Sequence, residues 1–351
     1  MFRDRKEKKT DIASLGEFGL IDHLTEGIVH RQPTTIKGVG DDTAVIDAGD
    51  KYLLITKDLL LEGIHFDLTY YPLRHLGYKA ISVNLSDICA MNGTPQQVVV
   101  GIGLSSRFPL EAVEELYSGM HAACEKYGVD MVGGDTTSSV QGLVLSVTAL
   151  GSVDKDKVVY RSGAHENDLL CVSGDLGGAY AGLLVLEREK AVFKANPEMQ
   201  PDLEGNDYIL ERQLKPEARL DIVRLLADIG IKPTSMIDIS DGLASEVKHL
   251  CKHSDTGCAI FEEKIPIDQS TYDTARSFKM DPTTYTMNGG EDYELLFTIS
   301  PDNYEKVKNL AEITIIGHMT EKSEGIRLIT RSGPVVPIEA QGWDHLKKKS
   351  N

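Results

Sequence analysis

On either side of a polar, turn-rich stretch, the chain alternates short apolar runs with segments of helical spacing, a pattern that few folds satisfy. KYLLITKD (51–58) is an apolar run that gives out at Asp58, and VVVGIGL (98–104) reads as a second strand. VDMVGGD (129–135) reads as a third, ending in Asp135, followed by LVLSVTALG (143–151). Between them, LGYKAISVNLSDICAM (76–91) is a helical stretch closed by the breakers NGTP. From Pro109 to Gly128, Val113, Leu116, Tyr117, Met120, Cys124 and Tyr127 recur at helical spacing.

The polar segments GSVDKDK and RSGAHEND, within 151–166, mark a domain boundary. Past it come the strand DLLCVSG, the Gly-rich bend GDLGGAYAGL and a charged, partly helical stretch (187–213). The helix PEARLDIVRLLADIG, the segment MIDISDGLASEVKHL and the strand YELLFTI complete the second half. The class is therefore α/β, of mixed α+β character, in two domains. The expected units are a disordered tail over 1–14, one domain over 15–152 and a second over 153–346.

Lys and Arg number 37 against 54 Asp and Glu, a net charge of −17, and the single basic cluster, MFRDRKEKKT, opens the chain. A nucleic-acid binder would carry a basic stripe, so no nucleic-acid partner is expected. No apolar run approaches the ~20 residues of a membrane helix, and the N-terminus has charge without the apolar centre of a secretion signal. The five cysteines are scattered without a C-x-x-C pair, which predicts reduced thiols in the core of a cytoplasmic protein.

Acids recur at element ends. Asp58, Asp135 and Asp238 each follow an apolar strand, Asp41 and Asp42 stand together in GVGDDTAV, and Asp87 lies on an apolar helix three residues from Asn84. Individually each has an ordinary reading: a solvated turn for Asp41 and Asp42, a solvent-facing helix acid for Asp87, an N-cap for Ser240 or Asp241. Together, without a matching set of lysines, they point to one site for a hard divalent cation such as Mg²⁺. His-rich and Cys-rich ligand sets for zinc are absent, and an acidic protein binds a polyanion only when metal ions reverse the local field. The expected chemistry is metal-assisted phosphate transfer or hydrolysis. Neither a P-loop nor the protein-kinase motifs occur. The bend SGDLGGAYAG either offers backbone N–H groups to phosphate or is a plain turn, and Arg161 is either a phosphate ligand or a surface residue.

Read in order, GVGDDTA, TKDLLLEGIHF, KAISVNLSDICAMNGTP, GGDTT, YRSGA, IDISDGLASE and NGGEDYELLF resemble the thiamine-monophosphate kinase family, of the aminoimidazole ribonucleotide synthetase-like superfamily. The likeness runs from about LGEFGLI (15–21) to GWDH (342–345). It implies transfer of the γ-phosphoryl group of ATP onto thiamine monophosphate, with several Mg²⁺ ions and no strong general base. By that resemblance Asp42, Asp58, Asp87, Asp238 and Asp241 are metal ligands, joined by the Thr56 hydroxyl and the Lys57 carbonyl; Asp58, Asp87 and Asp241 carry catalysis. Gly134, Asp135 and Arg161 serve the nucleotide, Asp135 through a metal, and Ser240 lies near the ATP phosphates. His65, Glu291 and Trp343 contact thiamine monophosphate, Trp343 by stacking on its rings. The implied fold is a two-domain protein whose N-terminal domains, carrying metal and ATP, pair in a homodimer. Lys57 stands where the family commonly has a small residue, and the charged stretch around 187–207 reads as a surface insertion. The alternatives are another ATP-dependent synthetase of the superfamily, or a nucleotide-binding protein without turnover.

Overall fold

The computed structural model describes residues 11–338. Its first sheet comprises β1 (Thr35–Lys37), β2 (Ala44–Asp47), β3 (Lys51–Leu61), β4 (Thr94–Leu104), β5 (Asp130–Ser138) and β6 (Val144–Asp154), in the order β1-β2-β3-β6-β4-β5. The second comprises β7 (Leu169–Ser173), β8 (Ser235–Asp238), β9 (Thr256–Phe261), β10 (Leu295–Ile299), β11 (Ile313–Glu321), β12 (Ile326–Ile329) and β13 (Val335–Pro337), in the order β13-β12-β9-β11-β7-β10-β8. Helices α2 (Leu73–Ala90) and α3 (Leu110–Tyr127) accompany the first sheet, and α1 (Gly16–Thr25) precedes it, with the Phe18 ring centroid 4.7 Å from that of His249. The second carries α4 (Gly178–Ala195), α5 (Asp207–Leu214), α6 (Leu220–Asp228), α7 (Leu243–Ser254), α8 (Gln269–Ser277), α9 (Pro282–Asn288) and α10 (Tyr304–Val307).

Two strands run further than their apolar composition suggests. Asp58 does not end β3, which continues to Leu61, and Asp135 does not end β5, which continues to Ser138. In both cases ladder pairing with a neighbouring strand carries the backbone past the acid: Asp58 pairs with Val147 of β6, and Asp135 with Gly101 of β4. Pairing thus overrides the local cue. Chain order is also present before residue 14, where Ile12–Ser14 form a 3₁₀ turn and Asp11 accepts a hydrogen bond from Ala13 N.

Helix α2 is buried nearly all round, polar Lys79, Ser82, Asn84 and Ser86 included. It lies between the first sheet, where it meets β3 and β6, and β8 of the second. Its back is pinned to α3 through two glycines. A Cβ at Gly77 would fall 1.9 Å from Leu116 O, and one at Gly119 would fall 1.8 Å from Arg74 O. The backbones approach too closely for any side chain there. Residues alternate along β3, so Leu54 and Leu60 face the core while Lys57 and Leu59 face outward. All five cysteines are free and buried, as core thiols.

Candidate active site

The junction of the two sheets collects the acids. Asp42 follows β1, Asp58 lies within β3, Asp87 is in the last turn of α2, and Asp238 ends β8. Carboxylate oxygens of Asp42, Asp87 and Asp238 lie within 4.8 Å of one another. An adjoining cavity of about 140 Å³ is lined by Asp58, His65, Lys79, Asp87, Asp238, Ser240 and Glu291.

Each acid is held by a neighbouring element. Thr56 Oγ1 donates to Asp87 Oδ2 at 2.5 Å, and Ser86 Oγ donates to Asp238 Oδ2 at 2.6 Å. Asn84, which shares the α2 face with Asp87, accepts from Asp58 N at 2.9 Å and donates to Ala80 O at 3.0 Å. Arg161 grips the loop of GVGDDTAV: its Nη2 donates to Asp42 Oδ1 at 2.6 Å and its backbone N to Asp41 Oδ1 at 3.1 Å. The paired aspartates therefore do not sit in a solvated turn; Asp42 is buried and ion-paired.

Burial raises the carboxyl of Asp58 to about 6. Burial and then the Asp42 charge raise Asp238 to about 7. Asp87 is pushed well above the usual range by burial and by the charges of Asp58, Asp238 and Asp42. Such a cluster binds protons or cations. Among the described residues the buried Asp42 Oδ2 has no hydrogen-bond partner, and a hard oxygen donor with open lone pairs fits Mg²⁺.

The remaining expected residues fall at different places. Ser240 and Glu291 meet across the cavity wall, with Glu291 N donating to Ser240 O at 2.7 Å. His65 Nδ1 accepts from Leu61 N at 3.0 Å, which assigns the proton of its neutral ring to Nε2. Neither Ser240 nor Asp241 caps α7. Gly242 holds the N-cap position, and Asp241 N instead donates to the buried Glu246 Oε1 at 2.8 Å. Gly134 and Asp135 lie on the exposed edge strand β5, outside the converging trio. Asp58, Val147, Val100 and Gly134 form one row across four strands, so Gly134 stands roughly 14 Å from Asp58. A Cβ at Gly134 would fall 2.0 Å from Val100 O. Lys57 is exposed, and Trp343 lies outside the described residues.

Two N–H groups of the Gly-rich bend are already committed to a side chain of the protein. Gly177 N and Ala179 N at the start of α4 donate to buried Asp292, at 2.7 and 3.3 Å. Asp292 stands between Glu291 and Tyr293, two non-glycine residues with φ of 69° and 52°. Most of the charged stretch around 187–207 is exposed, as expected of a surface segment, but its start is tied to the rest of the chain. Lys190 of α4 pairs with Asp67 at 2.9 Å, and Glu187 accepts from Tyr70 at 2.9 Å, so this helix holds the loop beside His65.

Lys79, Gln213 and Glu246 escaped sequence reasoning. Lys79 sits eight residues before Asp87, and with Val83 forms an i, i+4, i+8 stripe on α2 that faces the cavity. That spacing was the available signal.

Fold and acid cluster together define a class. Residues 40–153 match the AIR synthase related protein N-terminal domain, and residues 166–329 match its C-terminal domain. Thiamine-monophosphate kinase of Bacillus subtilis is 32% identical over 95% of this chain and 100% of its own length. That of Aquifex aeolicus is 34% identical over 95% of this chain and 99% of its own. A solved structure described as AaThiL complexed with AMPPCP and TMP superposes with a TM-score of 0.81 at 33% identity, covering 97% of this chain and 100% of that one. The chain belongs to the thiamine-monophosphate kinase family.

Proposed function

We propose that this enzyme transfers the γ-phosphoryl group of ATP to the phosphate of thiamine monophosphate, giving thiamine diphosphate and ADP. The observation that carries the reading is the convergence of Asp42, Asp87 and Asp238, with Asp58, His65 and Glu291 on the adjoining cavity. The acceptor is already an ionised phosphate, so no base has to generate the nucleophile, and positioning supplies most of the catalysis. The cluster accordingly holds many acids and a neutral histidine.

Asp42, Asp87 and Asp238 would hold Mg²⁺, with Asp58, Asp241, the Thr56 hydroxyl and the Lys57 carbonyl completing several sites. The ions would neutralise phosphate charge during transfer. Asp58, Asp87 and Asp241 are the residues on which turnover depends. Arg161 orients Asp42 and faces the nucleotide phosphates beside Ser240. Gly134 and Asp135 take the nucleotide further along the sheet, Asp135 through a metal; the span from Asp58 suits a nucleoside triphosphate better than a ligand of the same ion. His65 and Glu291 receive thiamine monophosphate, and Trp343 stacks on its rings.

The layout is a metal-, ATP- and dimer-forming domain over 15–152 and a second domain over 153–346. Homodimer pairing is supported by Leu59, Val99 and Val132, apolar and exposed on the first sheet. Five buried free thiols support a cytoplasmic location. The test is phosphorus NMR of ATP, Mg²⁺ and thiamine monophosphate with the protein. Thiamine diphosphate with stoichiometric ADP, and none from free thiamine, is expected; ATP consumed only with another acceptor would overturn the reading.

A further inference from the structure

Among the described residues, Lys79 is the one lysine or arginine lining the cavity, which it shares with four acids, Asp58, Asp87, Asp238 and Glu291, and with His65. Its side chain is 1% exposed. An ammonium has three N–H donors. One goes to Glu291 Oε2 at 2.5 Å, while the Tyr71 ring centroid lies 5.5 Å from Nζ; no other hydrogen-bond acceptor among the described residues takes a donor. A buried charge with donors to spare is costly unless something else receives them. Glu291 is independently secured, since Gln213 Nε2 donates to the same Oε2 at 2.8 Å. Tyr71 is fixed through its hydroxyl, which donates to the carbonyls of Gln213 and Leu214, each at 3.0 Å. The cage therefore keeps its shape if Lys79 shifts its proton donors toward the cavity.

We infer that Lys79 binds the phosphate of the acceptor and so sets the enzyme's preference for thiamine monophosphate over free thiamine. The inference rests on the functional reading above. Entry of a phosphate dianion gives the spare N–H donors of Lys79 charged acceptors, and the cationic thiazolium offers Glu291 a replacement partner. Free thiamine brings only the cation. It would meet Glu291 already neutralised by Lys79, and would leave the ammonium donors unmet. Charge-assisted hydrogen bonds in a desolvated site carry this kind of discrimination, because the analogue lacking the group leaves a buried polar atom unpaired.

The test is calorimetric titration of thiamine monophosphate and of thiamine into the full-length protein with AMPPCP and Mg²⁺ present. Lys79→Met is expected to weaken thiamine monophosphate at least about tenfold, to leave AMPPCP affinity within about twofold, and to leave thiamine affinity unchanged or raised, since Glu291 is then free for the thiazolium. Lys79→Arg is expected to retain most of the preference. Lys79→Gln, which keeps a donor for Glu291, covers the case of a Met variant that does not fold, and should show the same loss. Equal weakening of both ligands, the signature of a purely structural lysine, would overturn the inference, as would unchanged binding of thiamine monophosphate. A wild-type protein that fails to bind thiamine monophosphate overturns the functional reading itself, before any variant is compared.

Discussion

Thr56 and Asp87, thirty-one residues apart, meet in a 2.5 Å hydrogen bond that ties β3 to the last turn of α2. The bond fixes the rotamer of a carboxylate that three other acids repel. The acid is therefore presented in one orientation even without a counter-charge, at the expense of local electrostatic energy.

Replacing either Asp87 or Asp58 with asparagine separates function from stability. Asp87→Asn and Asp58→Asn are expected to lower kcat by about a hundredfold or more, since the proposed metal shell would supply several kcal/mol of charge stabilisation. Without metal, both variants should melt at higher temperature than wild type, because a repelled buried charge is gone. Near-normal kcat at saturating Mg²⁺ would remove these residues from the metal shell.

The metal-free protein should lose stability as pH rises from 5 to 8. Burial raises Asp41 and Asp58 to about 6 and Asp238 and Asp292 to about 7, from an ordinary 3.8. Between the two values the folded chain holds protons that the unfolded chain has released, so folding takes up protons and deprotonation opposes it. Calorimetry in EDTA should show a melting temperature several degrees lower at pH 8 than at pH 5, and Mg²⁺ should narrow the gap. A melting temperature that climbs over this range in EDTA would contradict the assignment.

Arg161→Met leaves Asp42 buried and unpaired. Breaking one side of a buried pair costs roughly 3 kcal/mol or more, and urea unfolding at neutral pH without metal should register it. Added Mg²⁺ should recover part of the loss if the cation takes over the carboxylate.

Gly119→Ala inserts a Cβ 1.8 Å from the Arg74 carbonyl and forces α3 off α2. Overpacking of this kind is expected to cost about 3 kcal/mol or more, with a fall in kcat because α2 carries Asn84, Ser86 and Asp87. Unchanged unfolding would mean that the helices separate without penalty.

The acids were legible because carboxylates beside apolar runs are rare without a reason, and Asp42, Asp87 and Asp238 do converge. Long-range partnerships were not. Nothing near GDLGGAYAG announces that two of its N–H groups are taken by Asp292, more than a hundred residues on. Nothing near IDISDG announces that Glu246 takes the Asp241 N–H and displaces the expected cap. The end of β3 was misplaced because Leu59–Leu61 continue a ladder set by β6, which no local pattern encodes. Lys79 was hidden by its helix: a lysine among apolar neighbours reads as a surface residue until the face it occupies is known.

Alternation along β3 has a consequence for how the chain assembles. Thr56 and Asp58 turn toward α2, and Lys57 between them turns away, under a register that pairs Lys57 with Thr148 and Asp58 with Val147. A slip of one residue would invert every side chain in the strand. It would deliver an ammonium to the place of a carboxylate. Under the proposed function, cation binding would act as a proofreading step on folding: a mispaired molecule would be silent toward the ion, and the ligand would stabilise only molecules whose sheet has closed in step.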